Sequence, residues 1–374
     1  MLSKAKPLSF ILELPLRVAQ EIQNALLARL EAGRQLYNAC LGEARRRWNL
    51  VHQSRAYQEA RKMPRGTEEE CKARAKAISE AWRAYGFSDY DLQMYALEIR
   101  HGWLEAHLDA FTAQKLATRA FAAQKRVALG RARRVRFKGK NQMDTLEGKS
   151  NAAGIRWRDG AVEWTGLVLP AIIDTQDPVV RHGLSCPVKY VRLVRRKMNG
   201  QDRFWVQLVL EGEPCRKLKA DGSPKHPLGT GTVGLDAGPS TIAAVGEQAA
   251  FLEPFVRDLA SQHREIRCLQ RHLDRQRRAN NPQNYNANGT IKKGPKTWKV
   301  SGGMRHTQEH LADLHREMAA HRKSLHGNLC NRVLGMGDVF KYESVSIKGW
   351  QKRFGRSVGF RAPGRFFAEL NRKA

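Results

Sequence analysis

The stretch TVGLDAGPSTIAAVG, Thr232 to Gly246, holds two short apolar runs separated by an aspartate, two glycines, a proline and a serine. Apolar alternation on both sides of such a break spells a β-hairpin. The Asp236 carboxylate then stands at the end of the first strand and reads two ways. It starts the turn, as aspartate often does, or it is a metal ligand held by the scaffold, with a glycine beside it that lets another group approach. A second acid bears on the choice. In VFKYESVSI, the last strand of the DVFKYESVSI run, β alternation puts Phe340 and Glu343 on opposite faces, and an acid in so apolar a strand needs water, a partner or a cation. About a hundred residues separate the two acids, a gap that strands from different parts of one sheet can close. Converging carboxylates of this kind hold two divalent cations about 4 Å apart in phosphodiester hydrolysis. Magnesium suits such oxygen ligands.

The whole chain favours a phosphate-bearing partner. Its 374 residues are 41% hydrophobic, enough for buried cores in two or three domains. A formal net charge of +30 exceeds anything solubility demands and points to nucleic acid. No apolar run approaches the roughly 18 residues of a membrane span, and Glu13 and two prolines interrupt the signal-like start MLSKAKPLSFILELPLRVA, which reads as a strand. Cys40, Cys71, Cys186, Cys215, Cys268 and Cys330 lie far apart with no C-x-x-C pair, the pattern of reduced thiols in a cytosolic protein.

From Pro15 a helical pattern runs through Val18, Ile22, Leu26, Leu30, Tyr37, Leu41, Ala44 and Trp48, as one helix or a helix pair. DLQMYALEIRHGWLEAHLDAFTAQKLATRAFAAQKRVA reads as a further long helical stretch, so residues 17–130 form a helical lobe. Residues 131–215 read as a β module with hairpin turns at Asp159-Gly160 and Asn199-Gly200. The strand within residues 1–16 belongs to the same module if the helical lobe is an insertion. Residues 216–230 read as a linker. Residues 231–374 carry the opening hairpin, a helical pattern on Leu259, Ile266, Leu269 and Leu273, and a polar break. A long helix follows, with Met304, Leu311, Met318 and Leu325 at seven-residue intervals and Leu314 and Leu329 between them.

Several motifs fail on their context. GTGTVG, Gly229 to Gly234, matches the dinucleotide fingerprint in letters, but its third glycine lies in a strand that leads to another strand. GKS at Gly148 to Ser150 lacks the earlier glycine of a phosphate loop, where Met143 stands. His306, His310, His315, His321 and His326 share one helix without the metalloprotease pattern and read as a solvated or phosphate-facing surface.

Basic residues cluster at Arg133, Arg134, Arg136, Lys138 and Lys140, and again at Lys292, Lys293, Lys296 and Lys299. A third group in the tail comprises Lys348, Lys352, Arg353, Arg356, Arg361, Arg365, Arg372 and Lys373, interleaved with Trp350, Phe354, Phe360, Phe366 and Phe367. Cations that neutralise phosphates, beside rings that stack on unpaired bases, suit a single-stranded or RNA partner.

The order of these motifs resembles the TnpB family, transposon-encoded RNA-guided DNA endonucleases related to type V CRISPR effectors. AGRQLYNACLGEARRR resembles the family's first recognition helix, and AQKLATRAFAAQKR with RVRFKGK its return to the wedge domain. VGLDAGPSTIAAV resembles the first RuvC motif, and LQRHLDRQRRANNPQNYNANG the arginine-rich helix after it, with Arg271, Arg275 and Arg278. LHREMAAHRKSLHGNLCNRVL resembles the helix before the second motif, and YESVSIKGW the glutamate strand. The resemblance implies an α+β multidomain protein: a helical recognition lobe inserted in a β-barrel-like wedge domain, followed by an RNase H-like RuvC domain. It implies Asp236 and Glu343 as catalytic, magnesium-binding acids, and a guide RNA and target double-stranded DNA with a short flanking motif as partners. Residence is then the prokaryotic cytoplasm, at the nucleoid, with no membrane association.

The family continues with a C-x-x-C zinc ribbon and a third RuvC aspartate, whereas here Glu369 is the sole acid after Glu343. The RuvC domain is therefore expected to be C-terminally incomplete, with zinc confined to a ribbon outside this sequence. Two alternatives follow: a fragment of a longer nuclease, or a shortened relative that binds guided DNA without cutting, for instance a repressor. A basic RNA-binding protein with no guide is a third reading.

Overall fold

The computed structural model describes residues 8–257 and 260–374. Leu259, part of the expected helical pattern, lies outside them, as do the lysines of the N-terminal start. The chain divides into two compact units, one running to Lys197 and including Asp202–Cys215, the other comprising Met198–Gln201 and Arg216–Ala374. Helices and three sheets make it a mixed α+β protein. Among the described residues no helix is long and apolar enough to cross a membrane.

The first unit opens with β1 (Ser9–Pro15), whose alternation buries Leu12 and Leu14 and leaves Ile11 exposed. Pro15 is the last residue of this strand, opposite Trp205, so the helical pattern starts later than its periodicity suggested. α1 (Gln20–Gln53) is a single helix with Leu26, Leu30, Leu36, Cys40, Leu41 and Ala44 on its buried side. Ser54 ends it and caps α2 (Arg55–Lys62), its hydroxyl accepting from the Tyr57 N–H. α3 (Glu68–Ala84), α4 (Asp89–Arg100) and α5 (Ala110–Ala128) complete the helical part. The long stretch expected over 91–128 is thus two helices. Gly102, at φ +107°, leaves helical space, and Asp109 caps a new start by accepting from the Thr112 N–H.

After the helices come β2 (Thr145–Glu147), β3 (Arg156–Arg158), β4 (Ala161–Trp164), β5 (Leu167–Pro170), the short α6 (Pro178–Ser185), β6 (Val188–Met198) and β7 (Gln201–Glu211). They form two sheets, ordered β1-β7-β6-β2 and β3-β4-β5. Asp159-Gly160 and Asn199-Gly200 both adopt the positive φ of two-residue hairpin turns. β1 pairs antiparallel with β7, so six helices, α1 to α6, lie in the chain between partner strands of one sheet. An antiparallel bridge between Leu16 and Ala171 joins the two sheets.

The second unit is built on β8 (Thr232–Ala237), β9 (Thr241–Val245) and β10 (Ala250–Pro254), followed by α7 (Ala260–Asn280), α8 (Gly302–Leu334), β11 (Val339–Tyr342), α9 (Ile347–Arg361) and α10 (Pro363–Lys373). The sheet order is β10-β9-β8-β11, antiparallel except that β11 runs parallel to β8, as its connection through two long helices allows. Val233, Leu235, Ile242 and Ala244 pack on one face against Leu314, Met318, Leu329 and Val333 of α8 and Phe366 and Leu370 of α10. The polar break between α7 and α8 is ordered by its asparagines. Buried Asn281 donates to the Arg277 and Lys299 carbonyls at 3.0 Å each, and Asn284 donates to the Thr297 carbonyl at 2.8 Å.

The glycines of GTGTVG serve a backbone crossing. A Cβ on Gly229 would lie 2.5 Å from the Gly335 carbonyl oxygen, and one on Gly337 would lie 2.4 Å from that of Gly231. The loop before β8 and the loop before β11 touch backbone to backbone, and this contact sets the two strands side by side.

Candidate functional site

Asp236 is the fifth residue of β8, opposite Ala243 of β9, and the turn follows it, closed by the Gly238 N–H donating to the Thr241 carbonyl at 2.9 Å. It is therefore a strand residue. On its other side β11 pairs Lys341 with Gly234 and Tyr342 with Leu235, so Glu343 is next in register with Asp236. Neighbouring strands lie about 4.8 Å apart, and directly opposed residues in a parallel pair share a face. Leu235 is buried and Asp236 exposed, which puts both acids on the face turned away from the helical core, together with Gly234 and Lys341. Gly234, Asp236, Ala243, Lys341 and Glu343 line an open cavity of about 520 Å³.

Among the described residues neither carboxylate has a hydrogen bond or an ion pair. Two like charges one strand apart repel each other, and a cation between them relieves that repulsion. The donors are hard oxygens, which match magnesium rather than zinc. No group of three or more His, Cys, Asp or Glu side chains able to hold a metal occurs among the described residues. The six cysteines are free.

Of the three needs of an acid in an apolar run, water, a partner or a cation, the fold supplies Glu343 with the first. β11 ends at Tyr342, and Ser346 turns the chain into α9 by accepting from the Gly349 N–H at 3.2 Å. Val339 is 50% exposed and Glu343 is itself exposed, so the acid sits on an open edge strand in contact with water.

The basic residues separate into those available to a partner and those used inside the protein. Arg133, Arg134, Arg136 and Lys140 are exposed in the first unit, while the Lys138 ammonium donates to the Gln142 carbonyl at 3.2 Å and its backbone is held by Asn38. In the second unit Arg275, Lys292, Lys293, Lys348, Lys352 and Arg353 are exposed. Arg271 leans on the Cys268 sulfur, and Lys296 donates to the Gly294 carbonyl. Arg278 pairs with Asp274 at 2.8 Å and lies over the Tyr285 ring. Arg372 pairs with Glu369, and Lys373 donates to Asn331, which withdraws both from the expected phosphate-binding tail.

The tail aromatics also divide. Phe366 is fully buried, packed with Phe255 and His326, and Phe367 joins that core against Tyr342. Phe366 is a core residue and cannot stack on a base, and Phe367 is half-buried against the same core. Trp350 is half-buried, and Phe354 is 48% exposed. The histidines of α8 share no single surface. His326 is buried, its Nε2 on the Arg361 carbonyl at 2.9 Å, and His310 faces Glu265 at 3.7 Å.

The sequence reading passed over His263, Arg264 and Arg267. They project from α7 beside Arg271, and the spacing of the three arginines, Arg264, Arg267 and Arg271, at three and four residues was the available signal, since it places them on one helix face. His263 packs edge-on to Phe360, with centroids 5.1 Å apart.

No family model matches the sequence, and no curated protein matches it. Among solved structures the chain is similar to a cryo-EM structure of a Cas12f1–sgRNA–target DNA complex, at 11% identity and a TM-score of 0.40, covering 98% of this chain and 87% of that one. It is also similar to a cryo-EM structure of a CRISPR-Cas12f ternary complex, at 11% identity and a TM-score of 0.32, covering 88% of this chain and 64% of that one.

Proposed function

We propose that this protein is an RNA-guided DNA endonuclease of RuvC type that binds a guide RNA and cleaves matched DNA in the prokaryotic cytoplasm. The observation that carries the reading is the juxtaposition of Asp236 and Glu343, two carboxylates without a partner among the described residues, on the same exposed face of parallel strands. The exposed cations and the net charge of +30 support a nucleic-acid substrate. The ordered motif series supports the guide and a short flanking DNA motif, because guided nucleases delegate sequence recognition to base pairing.

Asp236 and Glu343 would hold magnesium, which when bound supplies an activated water and charge neutralisation at the phosphodiester. The chain itself keeps that site open to water and strand. Gly234 offers no side chain beside the acids, and Lys341 adds a cation on the same face.

The test is cleavage of a matched DNA by protein purified with its copurifying RNA in Mg²⁺. Asp236→Ala and Glu343→Ala should each abolish cutting and leave DNA binding within about twofold. Cleavage by Asp236→Ala at the wild-type rate would overturn the assignment. The second reading, a guided binder that does not cut, is favoured by the lack of a third metal-ligating side chain beside the pair among the described residues. It expects tight guided binding, no cutting by the wild-type chain in Mg²⁺ or Mn²⁺, and no effect of either substitution.

A further inference from the structure

Two adjoining cavities lie along α7 and α9, of about 400 and 440 Å³, and share His263. Both fall in the range of about 300–1,000 Å³ typical of small-ligand sites. Arg264 and Arg267 line the first, and Arg353, Phe354 and Arg356 the second. Among the described residues none of these four arginines meets a carboxylate. By contrast Arg278 is neutralised by Asp274, Arg332 by Glu253 and Arg372 by Glu369. Glu265, the acid nearest in sequence to Arg264, faces His310 instead.

The positive field converges on the shared residue. Partial burial, and then Arg267 and Arg356 from the two sides, push the His263 imidazole below its ordinary pKa. The ring on the second wall is equally unspent. α9 breaks helical geometry at Phe354 (φ −118°, ψ 32°), and the side chain stands 48% exposed. The cleft also connects to the acids, because the Ser357 hydroxyl donates to the Pro239 carbonyl at 3.3 Å, in the turn that follows Asp236.

We propose that the α7–α9 cleft seats one nucleotide of an unpaired strand on its way to the Asp236–Glu343 pair, its phosphate among the four guanidinium groups and its base against Phe354. An anion relieves the mutual repulsion of the arginines, and an exposed aromatic face takes any base without sequence preference. The inference rests on the nuclease reading for its destination, but its test does not depend on cleavage.

The test is anisotropy of fluorescein-labelled dT12 with the full chain in EDTA. Phe354→Ala should weaken binding by about fivefold or more, the scale of one lost base stack, and Phe354→Tyr should restore it. Arg267→Ala with Arg356→Ala should weaken it by about tenfold or more, while the charge-matched Lys217→Ala with Lys219→Ala, in the linker, stays within about threefold. The His263 ring protons, followed by NMR, should titrate at higher pH once dT12 is bound. Wild-type affinity in Phe354→Ala overturns the base seat, even if inorganic phosphate shifts the His263 titration. Equal losses in the arginine and lysine pairs overturn the cleft altogether. Asp236→Ala should bind dT12 like the wild type, so failure of the nuclease reading and failure of this one leave different records.

Discussion

Glu43 on α1 takes hydrogen bonds from Arg46 and Arg47, each at 2.7 Å, and Arg47 in turn donates to the Gly86 carbonyl ahead of α4. The Arg46 hydrogen bond, with Arg47 beside it, holds the Glu43 carboxyl down to about 2, against a burial effect that pushes the other way. A carboxyl depressed in the folded state contributes stability above its unfolded pKa, near 4.5, and loses it as pH falls through the folded value. Glu43→Gln should therefore cost up to about 3 kcal/mol at neutral pH, with the difference from wild type vanishing between pH 4.5 and 2 in acid-dependent denaturant melts. A second prediction concerns the crossing below the acids. Gly337→Ala drives a Cβ against the Gly231 carbonyl and Val233, and should cost about 1–3 kcal/mol in thermal unfolding. It should also reduce cleavage, because β11 carries Glu343. Asp236 was legible in the sequence because a hairpin isolates it between apolar runs. Glu343 drew notice because an acid in an apolar run needs water, a partner or a cation, and its open edge strand gives it water; Arg267 was passed over because a charged helix face reads the same whether solvated or gathered around a cleft.

At the scale of elements, the best-connected cap is Asp109 at the start of α5. It accepts from the Thr112 N–H at 2.9 Å, from the Thr112 hydroxyl at 2.6 Å and from the Trp164 indole at 2.8 Å. Trp164 is 1% exposed, and the Arg29 guanidinium lies 4.6 Å over its ring while donating to the Trp164 and Thr165 carbonyls. Asp109→Ala removes a cap and strands a buried indole N–H, which together should cost about 2–4 kcal/mol. Thr67→Ala, in the exposed capping box of α3, should cost about 1 kcal/mol; comparable losses in urea melts would show that the Trp164 contact contributes nothing. Helices and hairpins were readable because apolar spacing and Asn-Gly or Asp-Gly pairs are local signals. The division of 91–128 into α4 and α5 was not, because Gly102 and Asp109 look like ordinary members of a helical run until the indole arrives from β4. The asparagines of the α7–α8 connection were likewise read as a polar break, although their buried amides order it.

For the molecule as a whole, 66 Lys and Arg against 36 Asp and Glu leave a net charge of +30 without an internal counter-charge. If six to ten phosphates are contacted, nucleic-acid affinity should fall by about 10³ to 10⁵ between 50 and 200 mM salt. A log–log slope flatter than about −2 would contradict a phosphate-dominated interface. The expectation of this partner class comes from charge and composition alone. The convergence of the acids was expected from the strand pattern, but its parallel register was not, because that pairing closes only after α7 and α8 have been traversed. That pairing has a genetic consequence. Losing one codon between Gly335 and Asp338 would leave β11 paired a step out of frame, with Glu343 swung toward the hydrophobic interior, or would detach it. An in-frame deletion far milder on paper than a missense change of the acid should thus be just as disabling.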